Sequence, residues 1–236
     1  METKPEVVST APTSRPVEQS ALPYVLPFVF FIGLLAASDY LALLGRWEFP
    51  VRVTALAVLL YAVSRHVIDF RCRVPVQSIG IGILVFAIWV APDLLIPGWR
   101  NHWLFQNGVM GKLKTSIPSN LLDDPLVLSF RTIRAAVLVP IIEELFWRAW
   151  LMRWLINPKF YELPLGAYQT GAFWITALLF ASEHGPYWEV GLLAGIIYNW
   201  WMVRTRSLGD LILAHGVTNL VLSLYTIATK RWEYWL

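Results

Sequence analysis

Residues 126–156 read LVLSFRTIRAAVLVPIIEELFWRAWLMRWLI, a stretch dominated by Leu, Val, Ile, Ala, Phe and Trp in which Glu143, Glu144 and Arg148 stand out. A charge near a bilayer centre costs roughly 2.5–3.5 kcal/mol on insertion scales, so such groups face a protein interior or a wet cavity. On a helix, Glu144 and Arg148 form an i,i+4 pair with the acid first, the order that favours mutual neutralisation. Glu143 projects about 100° away around the helix and does not share that pairing equally. It is therefore the carboxylate left for proton transfer, as a general base requires. Upstream, Arg131 and Arg134 are three apart on one face. Pro140 predicts a kink whose freed backbone groups need partners, a common way to open a pocket.

Composition places this stretch in a membrane protein. The chain has 236 residues, 57% of them hydrophobic and 15% charged, against about 25% charged in soluble proteins. Apolar segments fill nearly everything after residue 22, leaving room for one membrane domain over 22–236 and no sizeable soluble one. We expect an all-α polytopic bundle of about 7–8 transmembrane helices around a central polar cavity. Residues 1–21 are polar, lack the pattern of a signal peptide and read as a disordered tail. The single cysteine, Cys72, excludes an intrachain disulfide. The net charge of +3 does not point to nucleic acid, because the basic residues are scattered at helix ends, where they meet lipid headgroups. Trp47, Trp99, Trp103, Trp154, Tyr187, Trp188, Trp232 and Trp235 cluster near segment ends, as interfacial belts do. The expected location is multi-pass in a membrane, the inner membrane for a bacterial cell.

Hydropathy predicts spans over 22–44, 51–68, 79–96, the fourth segment containing Pro140, then 166–182, 190–203 and 208–228. Between 99 and 125 the chain turns polar and reads as a loop with short interfacial helices. Gly191 and Gly195, with Ala194 beside them, make a small-xxx-small stripe that permits close helix packing.

Two further apolar segments carry polar groups of the same unusual kind. His184 follows Phe180 by four residues and precedes Gly185-Pro186, which stops the helix and leaves the imidazole at a turn. Glu183 beside it reads as a solvated carboxylate. His215 and Asn219 are an i,i+4 pair offering an imidazole and a carboxamide to one face. Each of these two motifs alone favours a structural role; together with Glu143, Glu144 and Arg148 they describe one site built from three helices. The set is sufficient for amide hydrolysis. Glu143 and His184 orient and deprotonate water, while His215 and Asn219 donate to the developing oxyanion. Ser182, Thr218 and Cys72 offer covalent alternatives, but Ser182 and Thr218 occupy no nucleophile elbow and Cys72 is far off in sequence. Zinc held by Glu143, His184 and His215 is a competing reading, although the chain has no H-E-x-x-H.

E-E-x-x-x-R at Glu143, Glu144 and Arg148, F-x-x-x-H at Phe180 and His184, and H-x-x-x-N at His215 and Asn219, in that order, resemble the CPBP family. Its members are intramembrane peptidases, the type 2 CAAX prenyl proteases and bacteriocin-processing enzymes. The likeness covers about 126–223, and the Gly191/Gly195 helix resembles the family too. The run 139–144 is similar to a Trp-rich subgroup associated with exosortase systems. The resemblance implies a bundle of about eight helices with a conical cavity and the roles just given to Glu143, His184, His215 and Asn219. Glu144, Arg148 and Phe180 support the site. Family members have been described as metalloproteases and as glutamate-dependent peptidases, so zinc stays open. Eukaryotic members remove the last three residues of prenylated CAAX proteins. The implied partner is a peptide or protein, lipidated or membrane-anchored, amid membrane lipids. No motif of the amino-terminal half matches the family. Two other functions remain: peptide binding or immunity without catalysis on the same scaffold, and proton or ion transport through buried carboxylates and histidines.

Overall fold

A computed structural model describes residues 20–235. Those residues are predominantly helical and, apart from one isolated bridge, Asn107 to Gly111 in the 99–125 loop, hold no strand. Of the expected tail, only Ser20 and Ala21 lie within the described residues, just before the first helix. We number the helices α1 (Leu22–Ala36), α2 (Ser38–Ser64), α3 (Pro75–Leu95), α4 (Pro125–Trp154), α5 (Thr170–Ser182), α6 (Trp188–Thr205) and α7 (Leu208–Thr229). By length and apolar composition α2, α3, α4 and α7 are sufficient to cross a membrane; α1 and α5 are apolar but shorter.

Starts and stops follow local chemistry. Asp124 caps α4, its Oδ1 accepting from the Leu126 N–H at 2.9 Å, with Pro125 in the first turn. Ser207 caps α7 by accepting from the Asp210 N–H at 3.2 Å. Asp210 in turn accepts from the backbone N–H groups of Arg73 (2.6 Å) and Val74 (3.0 Å) and from Ser78 Oγ (2.9 Å). One carboxylate thereby ties the entry of α7 to the entry of α3.

The first two expected spans are bounded differently in the structure. The first helix stops at Ala36 rather than continuing to 44, and the second begins much earlier than 51. Ser38 Oγ donates to the Leu35 carbonyl, and Arg52 reaches across to the Leu34 carbonyl at 2.8 Å, so the final carbonyls of α1 find side-chain partners. Gly45, at φ 55° and ψ −132°, then breaks the helical path inside α2. Hydropathy averages over such breaks because every residue from 36 to 47 except Asp39 and Arg46 is apolar, aromatic or small.

The aromatic belts also differ. Trp47 and Trp103 are exposed, but Tyr187 and Trp235 are buried. The Arg100 guanidinium lies 3.9 Å from the Tyr187 ring centroid while pairing with Asp93 (2.9 Å) and Glu189 (2.8 Å). This knot pins the start of the 99–125 loop to α3 and α6.

Helix α7 packs along α3, and α6 along α5. Water-driven collapse contributes little between lipid-embedded helices, so close packing and interhelical hydrogen bonds must hold them. At Gly82 of α3 a Cβ would sit 2.5 Å from the Ala214 carbonyl oxygen of α7. That absent side chain lets Thr218 Oγ1 donate to the Gly82 carbonyl at 2.8 Å. Gly195 does the same between α6 and α5, where a Cβ would approach the Ala177 carbonyl at 3.2 Å. The helices surround a cavity of about 490 Å³.

Candidate active site

Helix α4 is an α-helix interrupted twice by wider i→i+5 turns, at Arg134–Leu138 and Leu145–Leu151, with Val139–Glu144 between them. Wide turns of this kind favour functional sites because they re-aim side chains without ending the helix. Proline explains the first. In the wide register the N–H of residue 140 would serve the Ala135 carbonyl, and Pro140 has none. Asn219 Nδ2 fills the gap, donating to Ala135 O at 2.9 Å from α7. The backbone group freed by Pro140 thus finds its partner in a residue of the third motif.

Glu144 and Arg148 are fully buried and pair at 3.0 Å through Nη1. Arg148 Nε donates to Asn199 Oδ1 at 2.9 Å, and its guanidinium carbon lies 4.3 Å from the Phe180 ring centroid. Glu144 Oε1 also lies 2.7 Å from His215 Nδ1. A carboxylate already accepting from arginine accepts here as well, so His215 carries its proton on Nδ1 and turns Nε2 to the cavity. Tyr198 stacks on the imidazole at 5.0 Å between centroids, and its hydroxyl donates to Thr218 at 2.8 Å.

Glu143 is 6% exposed, and its Oε2 has no hydrogen-bond partner among the described residues. Its distance to His215 Nε2, 3.9 Å, is too long for a hydrogen bond. His184 Nδ1 lies 2.7 Å from the Phe180 carbonyl, which fixes the proton there and frees Nε2. Gly185, at φ 50°, and Pro186 end the segment as expected. Gly191 leaves room for this imidazole, since a Cβ there would stand 3.1–3.2 Å from it. Phe180 lies between the histidines, with ring centroids 4.7 Å from His184 and 6.3 Å from His215.

Glu143, Phe180, His184, His215 and Asn219 all line the one cavity. Glu144 and Arg148 stand behind it. Three contributors escaped the sequence reading. Glu183 is exposed, as expected of a solvated carboxylate, but it also lines the same cavity and accepts from Trp147 Nε1 at 3.0 Å. Asn199 and Tyr198 back Arg148 and His215; their only sequence signal is a polar pair in an apolar helix four residues from the glycine stripe. Cys72 lies outside the site, exposed between α2 and α3. Residual burial, then the Asp210 and Asp69 carboxylates, push its thiol above the usual range and disfavour the thiolate.

The donor set does not make a metal centre as placed. Among the described residues no group of three or more His, Cys, Asp or Glu side chains is arranged to hold an ion. His215 Nδ1 is committed to Glu144, and its Nε2 stands apart from Glu143. The expected zinc set of Glu143, His184 and His215 is therefore not assembled among the described residues.

Residues 125–221 match the family model described as Type II CAAX prenyl endopeptidase Rce1-like. No match was found among curated proteins or among solved structures. The matched segment runs from the first turn of α4 into α7 and contains every residue of the three motifs. Over that segment, somewhat under half of the chain, this helical membrane bundle is similar to the Rce1-like type II CAAX prenyl endopeptidases.

Proposed function

We propose that this protein is an intramembrane endopeptidase that hydrolyses a peptide bond with water activated by Glu143 and His184. The observation that carries the reading is the buried, unpartnered Glu143 Oε2 in a cavity shared with two imidazoles, each held through Nδ1. An unsatisfied buried carboxylate oxygen is costly, and a water bound to it relieves that cost.

In the proposed reaction, water sits between Glu143 and His184 Nε2. Glu143 takes a proton as the water oxygen bonds to the peptide carbonyl carbon. The oxyanion receives the second N–H of the Asn219 carboxamide, whose first serves Ala135, and a hydrogen bond from His215 Nε2. That donation requires an N–H on both ring nitrogens, because Nδ1–H already belongs to Glu144. The C–N bond then breaks, and the proton held by Glu143 passes to the leaving nitrogen. The substrate is a peptide or protein segment presented near the membrane.

The test compares new protein amino termini in cells carrying wild type or Glu143→Gln, at equal protein levels. Termini present only with wild type support the reading. Identical sets reject it and favour a peptide-binding role without catalysis.

A further inference from the structure

The cavity extends beyond the catalytic groups to Arg134, Arg131, Lys112 and Lys114. Arg134 is 8% exposed. Among the described residues no hydrogen bond or ion pair to its guanidinium is present, although a buried guanidinium normally has both. Glu48, a carboxylate of α2 near it, is already held by Arg52 at 2.7 Å. Arg131 precedes it by one turn, and the exposed Lys112 and Lys114 approach from the 99–125 loop. The region is thus a positively charged, partly dry wall within the same chamber as Glu143.

We infer that Arg134 forms an anion subsite that receives a carboxylate of the peptide, resting on the endopeptidase reading for the identity of the ligand. A planar guanidinium suits bidentate capture of a carboxylate, and a desolvated one favours it strongly. Peptide is favoured over a lipid headgroup because Arg134 faces the chamber that holds the catalytic groups instead of the outer surface of the bundle. The spacing adds a ruler. Arg134 and Glu143 line the cavity nine positions apart on one helix, or roughly 13 Å at about 1.5 Å per residue. An extended peptide covers that in about four residues at about 3.3 Å each. The bond at Glu143 then lies about four residues from the captured carboxylate, which belongs either to the chain terminus or to an acidic side chain.

The experiment measures binding without turnover, by titration calorimetry on the full chain in detergent carrying Glu143→Gln. The probes are N-acetylated apolar hexapeptides with three endings: a free carboxylate, a neutral amide, and an amidated terminal glutamate. The expected result is at least about tenfold tighter binding of one or both acidic peptides over the neutral amide. Arg134→Gln should level them and Arg134→Lys should keep part of the preference. Whichever acidic peptide is preferred identifies the source of the carboxylate. Equal binding of all three, binding of none, or a preference that survives Arg134→Gln overturns the inference. So does Arg134-dependent binding of dihexanoyl phosphatidylglycerol when no peptide binds, which would assign the subsite to lipid. Comparison on otherwise unaltered peptides keeps the test valid even if an Arg134 variant fails to fold. Because no cleavage is read, failure here is distinct from failure of the amino-terminus comparison.

Discussion

Glu144, not its neighbour Glu143, holds His215: Oε1 of the second glutamate lies 2.7 Å from the imidazole Nδ1, whereas Oε2 of the first is 3.9 Å from Nε2. Two adjacent carboxylates thus have opposite duties. One is saturated by Arg148 and His215 and ties α4 to α7; the other is left open to the cavity.

That division predicts opposite responses to substitution. Glu144→Ala leaves Arg148 buried without its acid and should cost about 3–5 kcal/mol of stability along with activity. Glu143→Gln should lower turnover at least about 100-fold while leaving the thermal midpoint in detergent unchanged or higher. Thermal unfolding followed by tryptophan fluorescence, alongside a peptide turnover assay, separates the two. A large stability loss in Glu143→Gln would contradict the assignment.

Asn219 and Pro140 should be coupled. Asn219→Ala leaves the Ala135 carbonyl without a donor, a loss of about 1–3 kcal/mol. Pro140→Ala supplies a backbone N–H able to take over that carbonyl. The double variant is therefore expected to regain much of the stability lost by Asn219→Ala without regaining turnover. A double-mutant cycle on thermal midpoints measures this; strictly additive effects would show that the two residues do not share the carbonyl.

Gly191→Ala places a Cβ against the His184 ring at 3.1–3.2 Å. The imidazole must give way by a few tenths of an ångström, which misaligns Nε2. Turnover should fall about tenfold or more with little change in stability, whereas Gly82→Ala, meeting backbone at 2.5 Å, should destabilise the bundle by about 1–3 kcal/mol. Reversed outcomes would place the role of Gly191 in packing alone.

Cys72→Ser is expected to change stability by less than about 0.5 kcal/mol and to leave turnover intact, because the thiol is exposed and outside the cavity. N-ethylmaleimide should likewise fail to inhibit. Inactivation of wild type but not of Cys72→Ser by the reagent would reopen thiol chemistry.

Much of the architecture was legible in the residues. Continuous apolar runs located α3 to within a few residues, and Gly185-Pro186 marked the stop after His184. Recurrence at i,i+4 paired Glu144 with Arg148 and put His215 and Asn219 on one face. The boundary between α1 and α2 was not legible, because it depends on Arg52 reaching the Leu34 carbonyl and on the backbone at Gly45. Hydropathy does not register a dihedral angle.

The identity of the polar groups and the helices that carry them followed from sequence, since burying charge in hydrocarbon is too costly to be incidental and helical periodicity assigns a face. Which groups meet was decided by the tertiary fold. The pairing of Glu144 with His215, the use of Asn219 to serve Ala135, and the inclusion of Glu183 and Arg134 in the chamber depend on distances between helices far apart along the chain. Those distances come from the close approach of α3 to α7 and α5 to α6, and the one-dimensional spacing of residues carries no record of them.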